Sequence, residues 1–343
     1  MRAFTCDNCG QLLFFENSLC LRCSSHLGFV PSRLDIVVLD EPRWAMLRPC
    51  ANVELAQCNW MLEDGDPGPL CRSCRLTRTR PSDADRADLA AFSKAEAAKR
   101  RLIFELIDLG LAIGEDLGFD LLSSRTGPVV TGHNDGVITI DLAESDDSRR
   151  ERRRADLGEP YRTVLGHFRH ETGHYYWPTL VERTSELERA RSLFGDDRVD
   201  YEGALRRHYE QGPPPDWTNR YVSAYATMHP WEDWAETFAH YLHIRDTLET
   251  AAAFGLVVAG PDLVHDDSLS SVPAHETSDR PFEAVIADWL PLTYALNAIN
   301  RSMGQEDLYP FTLASTVIEK LAFVHGRVRA CARPPSPATS IAS

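Results

Sequence analysis

The sequence predicts an α+β chain in which an α-rich domain follows a small cysteine-rich module. Three observations carry this expectation. Eight of the nine cysteines fall within the first 74 residues, largely as Cys-x-x-Cys pairs. Apolar residues recur at helical spacing through most of the chain beyond residue 85, interrupted by two short β-rich runs. The length of 343 residues allows two domains, with a sizeable core in the larger one.

The first module spans residues 1–80. Cys6, Cys9, Cys20 and Cys23 form two paired knuckles, and Cys50, Cys58, Cys71 and Cys74 form a second set. A Cys-x-x-Cys turn lets two thiolates meet one metal, and two such turns close a tetrahedron with no open position. The expectation is therefore two structural Zn2+ sites of four cysteines each. Sequential pairing is the simpler arrangement, and a cross-braced one uses the same cysteines. So short a segment buries little core, whereas a structural zinc contributes on the order of 10 kcal/mol of folding free energy. A disulfide framework would need an oxidising compartment, and Met1-Arg-Ala-Phe-Thr-Cys6 contains no apolar leader. No apolar run is long enough to span a bilayer, so a cytoplasmic location is expected. Cys331 stands apart as a free thiol.

Pro81-Ser-Asp-Ala-Asp85 is a polar break, after which residues 81–330 form the larger domain. A helix is expected from about Arg86 to Ile113, with Leu89, Phe92, Ile103, Leu106 and Ile107 among its apolar residues. Val129-Val130-Thr131 and Val137-Ile138-Thr139-Ile140 read as strands around an Asp135-Gly136 turn. Arg149–Arg154 reads as a solvated helix face, helical patterns run from Pro281 to about Val328, and 331–343 reads as a disordered tail.

The most informative segment is His170-Glu171-Thr172-Gly173-His174, an HExxH sequence. Side chains at i and i+4 of a helix share a face one turn apart, so His170 and His174 can grip one Zn2+. Glu171 would then reach the water that zinc activates rather than the metal. Val164, Leu165, Phe168 and Tyr175 supply an apolar stripe at helical spacing, and Pro160 and Pro178 bound the helix. His167, one turn earlier, reads as a supporting or surface residue.

A catalytic zinc uses three protein ligands and keeps one position for water. The third is sought in Tyr225–His243, where Trp234, Phe238, Tyr241 and Leu242 would dock a helix and leave Glu232, Glu236 and His240 on the opposite stripe. His240 and His243 are otherwise expected to pack or face solvent. This pattern resembles the gluzincin metallopeptidases, and Tyr225 followed by Glu232-x-x-x-Glu236 with Phe238-Ala239 resembles the glutamate helix of lethal-factor-type toxins. The resemblance implies Glu232 as the ligand, Glu236 as its outer support and Tyr225 as the oxyanion donor. The stretch from His174 to Glu232 is longer than in thermolysin-like enzymes and includes Pro213-Pro214-Pro215, so Glu232 and Glu236 both stay open as ligand. By resemblance to zincins, one of the β runs is an edge to which an extended peptide could add.

Taken whole, the chain resembles a bacterial family of zinc-binding metallopeptidases with an N-terminal zinc ribbon. Cys6-x-x-Cys9-Gly10 with Phe14-Phe15-Glu16-Asn17, Cys58-Asn59-Trp60, Cys71-Arg-Ser-Cys74, His167–Trp177 and His229–His243 carry that resemblance. It implies a zincin-like catalytic domain, one catalytic and two structural Zn2+ ions, and hydrolysis of a peptide or protein substrate with Glu171 as general base. The alternative is a zinc-stabilised interaction scaffold whose HExxH domain is inactive.

Residues 1–80 carry 9 Arg and 9 Asp plus Glu, so the net charge of −15 falls on the remainder. An acidic larger domain argues against nucleic acid as a partner and gives no reason to expect a membrane surface. Arg72, Arg75, Arg78 and Arg80 form the one basic run in the ribbon.

Overall fold

The computed structural model describes residues 2–125, 127–145, 163–259, 270–271 and 280–332. The expectations for Pro160 and Arg149–Arg154, and for the tail from Arg333 onward, lie outside these residues. The architecture is mixed helix and sheet, and the residues group into two compact units, within 1–149 and within 150–331. Among the described residues no helix is long and apolar enough to cross a membrane.

The N-terminal unit begins with antiparallel pairs of very short strands: β1 (Phe4–Thr5) with β2 (Leu12–Leu13), β3 (Leu27–Val30) with β4 (Asp35–Val38), and β5 (Arg48–Pro49) with β6 (Met61–Leu62). Strands this short cannot hold themselves, and an aromatic cluster fills the space between them. Phe15 and Phe29 meet Phe104 at ring separations of 5.2 and 5.7 Å, and Trp60 lies 4.7 Å from Phe29. Asn59 ties the chain across this core, donating to the carbonyls of Phe15 and Asn17 while its own carbonyl accepts from Phe29.

A single turn, α1 (Val53–Ala56), precedes the long helix α2 (Arg86–Asp108), which supplies Phe104. Asp85, the last residue of the polar break, caps α2 by accepting from the amides of Ala87 and Asp88. The helix ends at Asp108, short of Ile113, because Gly110 takes a φ of 68° and the Leu111 amide turns back to the Leu106 carbonyl. Arg100 and Arg101 of this helix bond the Ala56 carbonyl and Glu16, so the packing of the unit runs across residues 80–81.

A four-stranded sheet completes the unit in the order β7 (Thr77–Thr79), β8 (Gly118–Leu122), β10 (Val137–Asp141), β9 (Gly132–Asn134). The Asp135-Gly136 turn joins β9 to β10 with φ of 46° and 82°, the left-handed pair that a two-residue hairpin needs. The first β run forms its strand at 132–134 rather than 129–131, and Val130 is exposed. β9 and β7 are the two edges of this sheet.

The C-terminal unit is helical. Its helices are α3 (Val164–Trp177), α4 (Leu187–Phe194), α5 (Tyr201–Gln211), α6 (Pro230–Ala253), α7 (Phe282–Ser302) and α8 (Ser315–Cys331). A two-residue pair, β11 (Val258–Ala259) with β12 (Ser270–Ser271), lies between α6 and α7. Thr163 caps α3 through the Gly166 amide, so the helix starts at Val164. The α-helix ends at Trp177 with Pro178 as its C-cap, as the sequence predicts. The chain continues as a wider turn through Glu182, in which the Pro178 carbonyl accepts from Arg183. The helix around Glu232 begins at Pro230, capped by His229, and runs ten residues beyond His243 because Ile244, Leu248, Ala251 and Ala252 keep it in the core. Tyr225 precedes it in a separate tight turn.

The helices α3 and α6 approach closely at Gly173. The Trp234 indole donates to the Gly173 carbonyl at 2.9 Å, and a Cβ at Gly173 would lie 2.9 Å from Ala235 Cα. Trp177, Phe194, Phe238 and Phe323 surround Trp234. From the other side, Lys320 of α8 forms a buried 2.5 Å ion pair with Asp233. Gly173→Ala is expected to destabilise this unit by about 1–3 kcal/mol, because backbone rather than a flexible side chain must move. Denaturant unfolding checks this, and a midpoint equal to the wild type would show that the helices are free to separate.

Candidate metal centres

Three groups of side chains among the described residues converge as metal ligands do: Cys6, Cys9, Cys20 and Cys23; Cys50, Cys58, Cys71 and Cys74; and His170, His174 and Glu232. The cysteines thus gather sequentially rather than cross-braced. In the first group Cys6 Sγ lies 3.6 Å from Cys23 Sγ, and Cys9 Sγ 3.6 Å from Cys20 Sγ. In the second, Cys58 Sγ lies 3.7 Å from both Cys71 and Cys74 Sγ. These separations are too long for disulfides, and all nine cysteines are free. They fit the edge of a tetrahedron with zinc–sulfur bonds of about 2.3 Å, which is roughly 3.8 Å.

The second group has a further shell that its spacing did not announce. Backbone amides of Cys71 and Cys74 point at the sulfurs of Cys50 and Cys71. Glu96 of α2 lies 3.6 Å from Cys74 Sγ, and Lys99, fully buried, reaches Glu96 at 2.6 Å and also bonds Thr77. Burial pushes the Glu96 carboxyl up, and the Lys99 charge counters it. A buried cation here offsets the negative charge that four thiolates concentrate.

In the third group the distances are equally short. His170 Nε2 lies 3.0 Å from Glu232 Oε2, His174 Nε2 3.3 Å from the same oxygen, and the two Nε2 atoms are 3.2 Å apart. A tetrahedral edge at zinc–nitrogen bonds of about 2.0–2.1 Å is roughly 3.3–3.4 Å, so the donors fit one zinc. The HExxH spacing supplies both imidazoles from one face of α3, and α6 brings Glu232 opposite them. Glu236, one turn along α6, takes the other side of His170, with Oε1 2.7 Å from Nδ1 and Oε2 accepting from Ser223. Of the two open ligand candidates, Glu232 meets both imidazoles and Glu236 meets only His170 Nδ1.

The electrostatics also favour positive charge at this site. Glu171 and Glu232 are buried and Glu236 is half-buried, and none forms an ion pair with Lys or Arg among the described residues. Burial disfavours charge on His170, yet its hydrogen bonds to Glu232 and Glu236 push its pKa well above the usual range. Burial raises Glu171, with His170 and His174 countering and Glu232 and Glu236 adding to the rise. Two buried carboxylates and a half-buried one around two imidazoles are costly unless positive charge sits between them.

Tyr225 lies with its ring 5.9 Å from His170, and burial first, then Glu232, push its phenol upward. His167 is not in the group. His240 turns away to bond the Tyr309 hydroxyl at 2.8 Å, and His243 stacks on the same ring, so neither joins the stripe of Glu232 and Glu236. Tyr201, which no motif pointed to, donates to Glu232 Oε1 at 2.9 Å. In the ribbon, Arg75, Arg78 and Arg80 face Asp66, Asp120 and Asp83.

Cys9→Ala and Cys74→Ala are each expected to lose one zinc per chain and to lower the melting temperature of the N-terminal unit, since a missing thiolate removes folding free energy together with metal affinity. Metal analysis and calorimetry check this. Unchanged zinc content and melting in both variants would remove the structural role of the cysteines.

Comparison with known proteins places both parts of the chain in zinc-binding families. A zinc-ribbon domain model matches residues 3–85, and a model described as "Putative zinc-binding metallo-peptidase" matches residues 88–327. Uncharacterized proteins of Mycobacterium bovis and of Mycobacterium tuberculosis strains CDC 1551 and H37Rv are each 52% identical over 339 residues, covering 95% of this chain and 94% of theirs. No solved structure matches. By the family match across most of its length and by these relatives, the chain belongs to the zinc-binding metallo-peptidase family and carries an N-terminal zinc ribbon.

Proposed function

We propose that the protein is a zinc-dependent peptidase of the gluzincin type, with His170, His174 and Glu232 holding the catalytic zinc. The observation that carries this reading is the meeting of His170 Nε2, His174 Nε2 and Glu232 Oε2 within 3.0–3.3 Å beside the buried Glu171. When bound, zinc lowers the pKa of a water towards neutrality and polarises the scissile carbonyl. Glu171 accepts the proton of that water as it attacks, and returns it to the leaving amine. Burial favours this exchange by bringing the carboxyl closer to neutral pH. Glu236 accepts from His170 Nδ1 and so presents Nε2 to the metal in the deprotonated form that a ligand needs. Tyr225 donates to the oxyanion that develops on the carbonyl.

On this reading the chain carries one catalytic and two structural zinc ions and acts on a peptide or protein. The ion-paired arginines of the ribbon favour a peptide over nucleic acid, because their charge already has partners. Free cysteines in both ribbon groups fit a reducing, cytoplasmic setting.

Glu171→Gln is expected to keep three zinc ions per chain while peptide turnover falls by about 10²–10⁴-fold, the usual loss of a general base. Proteome-derived peptide libraries read the cleavage. Turnover equal to the wild type would remove Glu171 from the mechanism, and a zinc-loaded wild type that cleaves nothing would favour the scaffold function instead.

The ligand assignment has its own test. Glu232→Ala should release the catalytic zinc to a mild chelator while the ribbon zincs stay. Glu236→Ala should weaken affinity or activity by about 10–100-fold, as loss of an outer partner does. The reverse ranking would shift the ligand by one helical turn.

A further inference from the structure

Tyr201 opens α5, in the long stretch between His174 and Glu232. Its hydroxyl donates to Glu232 Oε1 at 2.9 Å, whereas Glu232 Oε2 faces His170 and His174 at 3.0 and 3.3 Å. The two oxygens of one carboxylate are therefore divided between the imidazole pair and the phenol. Tyr201 is itself held in place. Its ring packs on His229 and Trp231 at 5.2 and 6.3 Å, and His229 caps α6 through Nδ1 while its Nε2 meets the Val199 carbonyl at 3.0 Å. The loop before α5 and the start of α6 are thus joined around the ligand.

We propose that Tyr201 is a positioning residue that restricts Glu232 to one-oxygen ligation and so keeps a coordination position open for water and substrate. The proposal rests on His170, His174 and Glu232 being the zinc site. A carboxylate can bind a metal through one oxygen or through both. With two imidazoles present, a second oxygen would fill the fourth position that a catalytic zinc must leave free. The Tyr201 hydroxyl donates to Oε1, which draws that oxygen's charge towards the phenol and holds it turned from the imidazole pair, leaving Oε2 as the oxygen that faces them. Tyr201 bonds the ligand directly, whereas Tyr225 lies beside His170 and reaches Glu232 only through its side-chain hydrogen bond to Tyr201.

The test compares full-length wild type, Tyr201→Phe, Tyr201→Leu and Tyr225→Phe. Zinc retention against a mild chelator is measured first. Cobalt is then exchanged into the site so released, and its visible spectrum reports coordination number. Tyr201→Phe and Tyr201→Leu should lose this zinc alike, about 10–100-fold more readily than the wild type, with the ribbon zincs retained. Their cobalt spectra should weaken towards those of higher coordination, while Tyr225→Phe keeps the wild-type retention and spectrum. Tyr201→Phe behaving as wild type overturns the proposal, and if Tyr201→Leu alone loses zinc, the ring rather than the hydroxyl matters. A crystal structure of the zinc-loaded wild type with both Glu232 oxygens bonded to the metal overturns it whatever the variants do. A wild type holding only two zincs would instead sink the underlying site, a distinct result.

Discussion

The close approach of α3 and α6 at Gly173 is the constraint on which the rest of the C-terminal unit depends. Glu232 can meet His170 and His174 only if the two backbones nearly touch, and a residue without a Cβ allows that. The Trp234 indole fixes the contact from one side by bonding the Gly173 carbonyl, and the surrounding aromatic rings fix it from the other. Dispersion and burial over this helix pair provide free energy that offsets the cost of holding Glu171 and Glu232 out of water, and a metal bound beside them would return part of that cost.

The N-terminal unit solves a different problem. Its strands are two to four residues long, so the sheet ladders alone hold little. Cysteine groups at two points and a ring cluster between them replace the missing core, and α2 closes the cluster with Phe104 while bringing Glu96 and Lys99 to the second group. Lys99 offers charge where thiolates gather, and the helix that carries it is outside the residues matched to the ribbon. The ribbon's second group and α2 are therefore coupled by packing and by charge.

Much of this was legible because it is local. The spacing of Cys-x-x-Cys, HExxH and Glu232-x-x-x-Glu236 fixes which side chains share a turn or a face, and the polar break at 81–85 holds the cap of α2. What the sequence hid depends on partners far along the chain. Tyr201 reaches Glu232 across 31 residues, and Asp233, next to Glu232, is buried against Lys320 across 87. β8 pairs in parallel with both β7 and β10, a register that no turn signal announces. The end of α2 came at Asp108 rather than near Ile113, where Gly110 turned the chain back, whereas Pro178 bounded α3 as its ring predicts.

The acidic residues around the site show how the fold separates their tasks. Glu232 is divided between the imidazoles and Tyr201, Glu236 between His170 and Ser223, and Asp233 is paired with Lys320. These partners hold each carboxylate in one position, and for Glu232 and Glu236 they favour the charged form against burial, whereas burial pushes Asp233 up to about 7 despite Lys320. Glu171 differs, since among the described residues it has no hydrogen-bond or Lys or Arg partner, and burial raises its pKa. A general base has to change protonation state during each turnover, and a fixed partner would favour one state over the other. On the proposed reading, the lack of a partner is therefore what suits Glu171 to move a proton while its acidic neighbours stay in place.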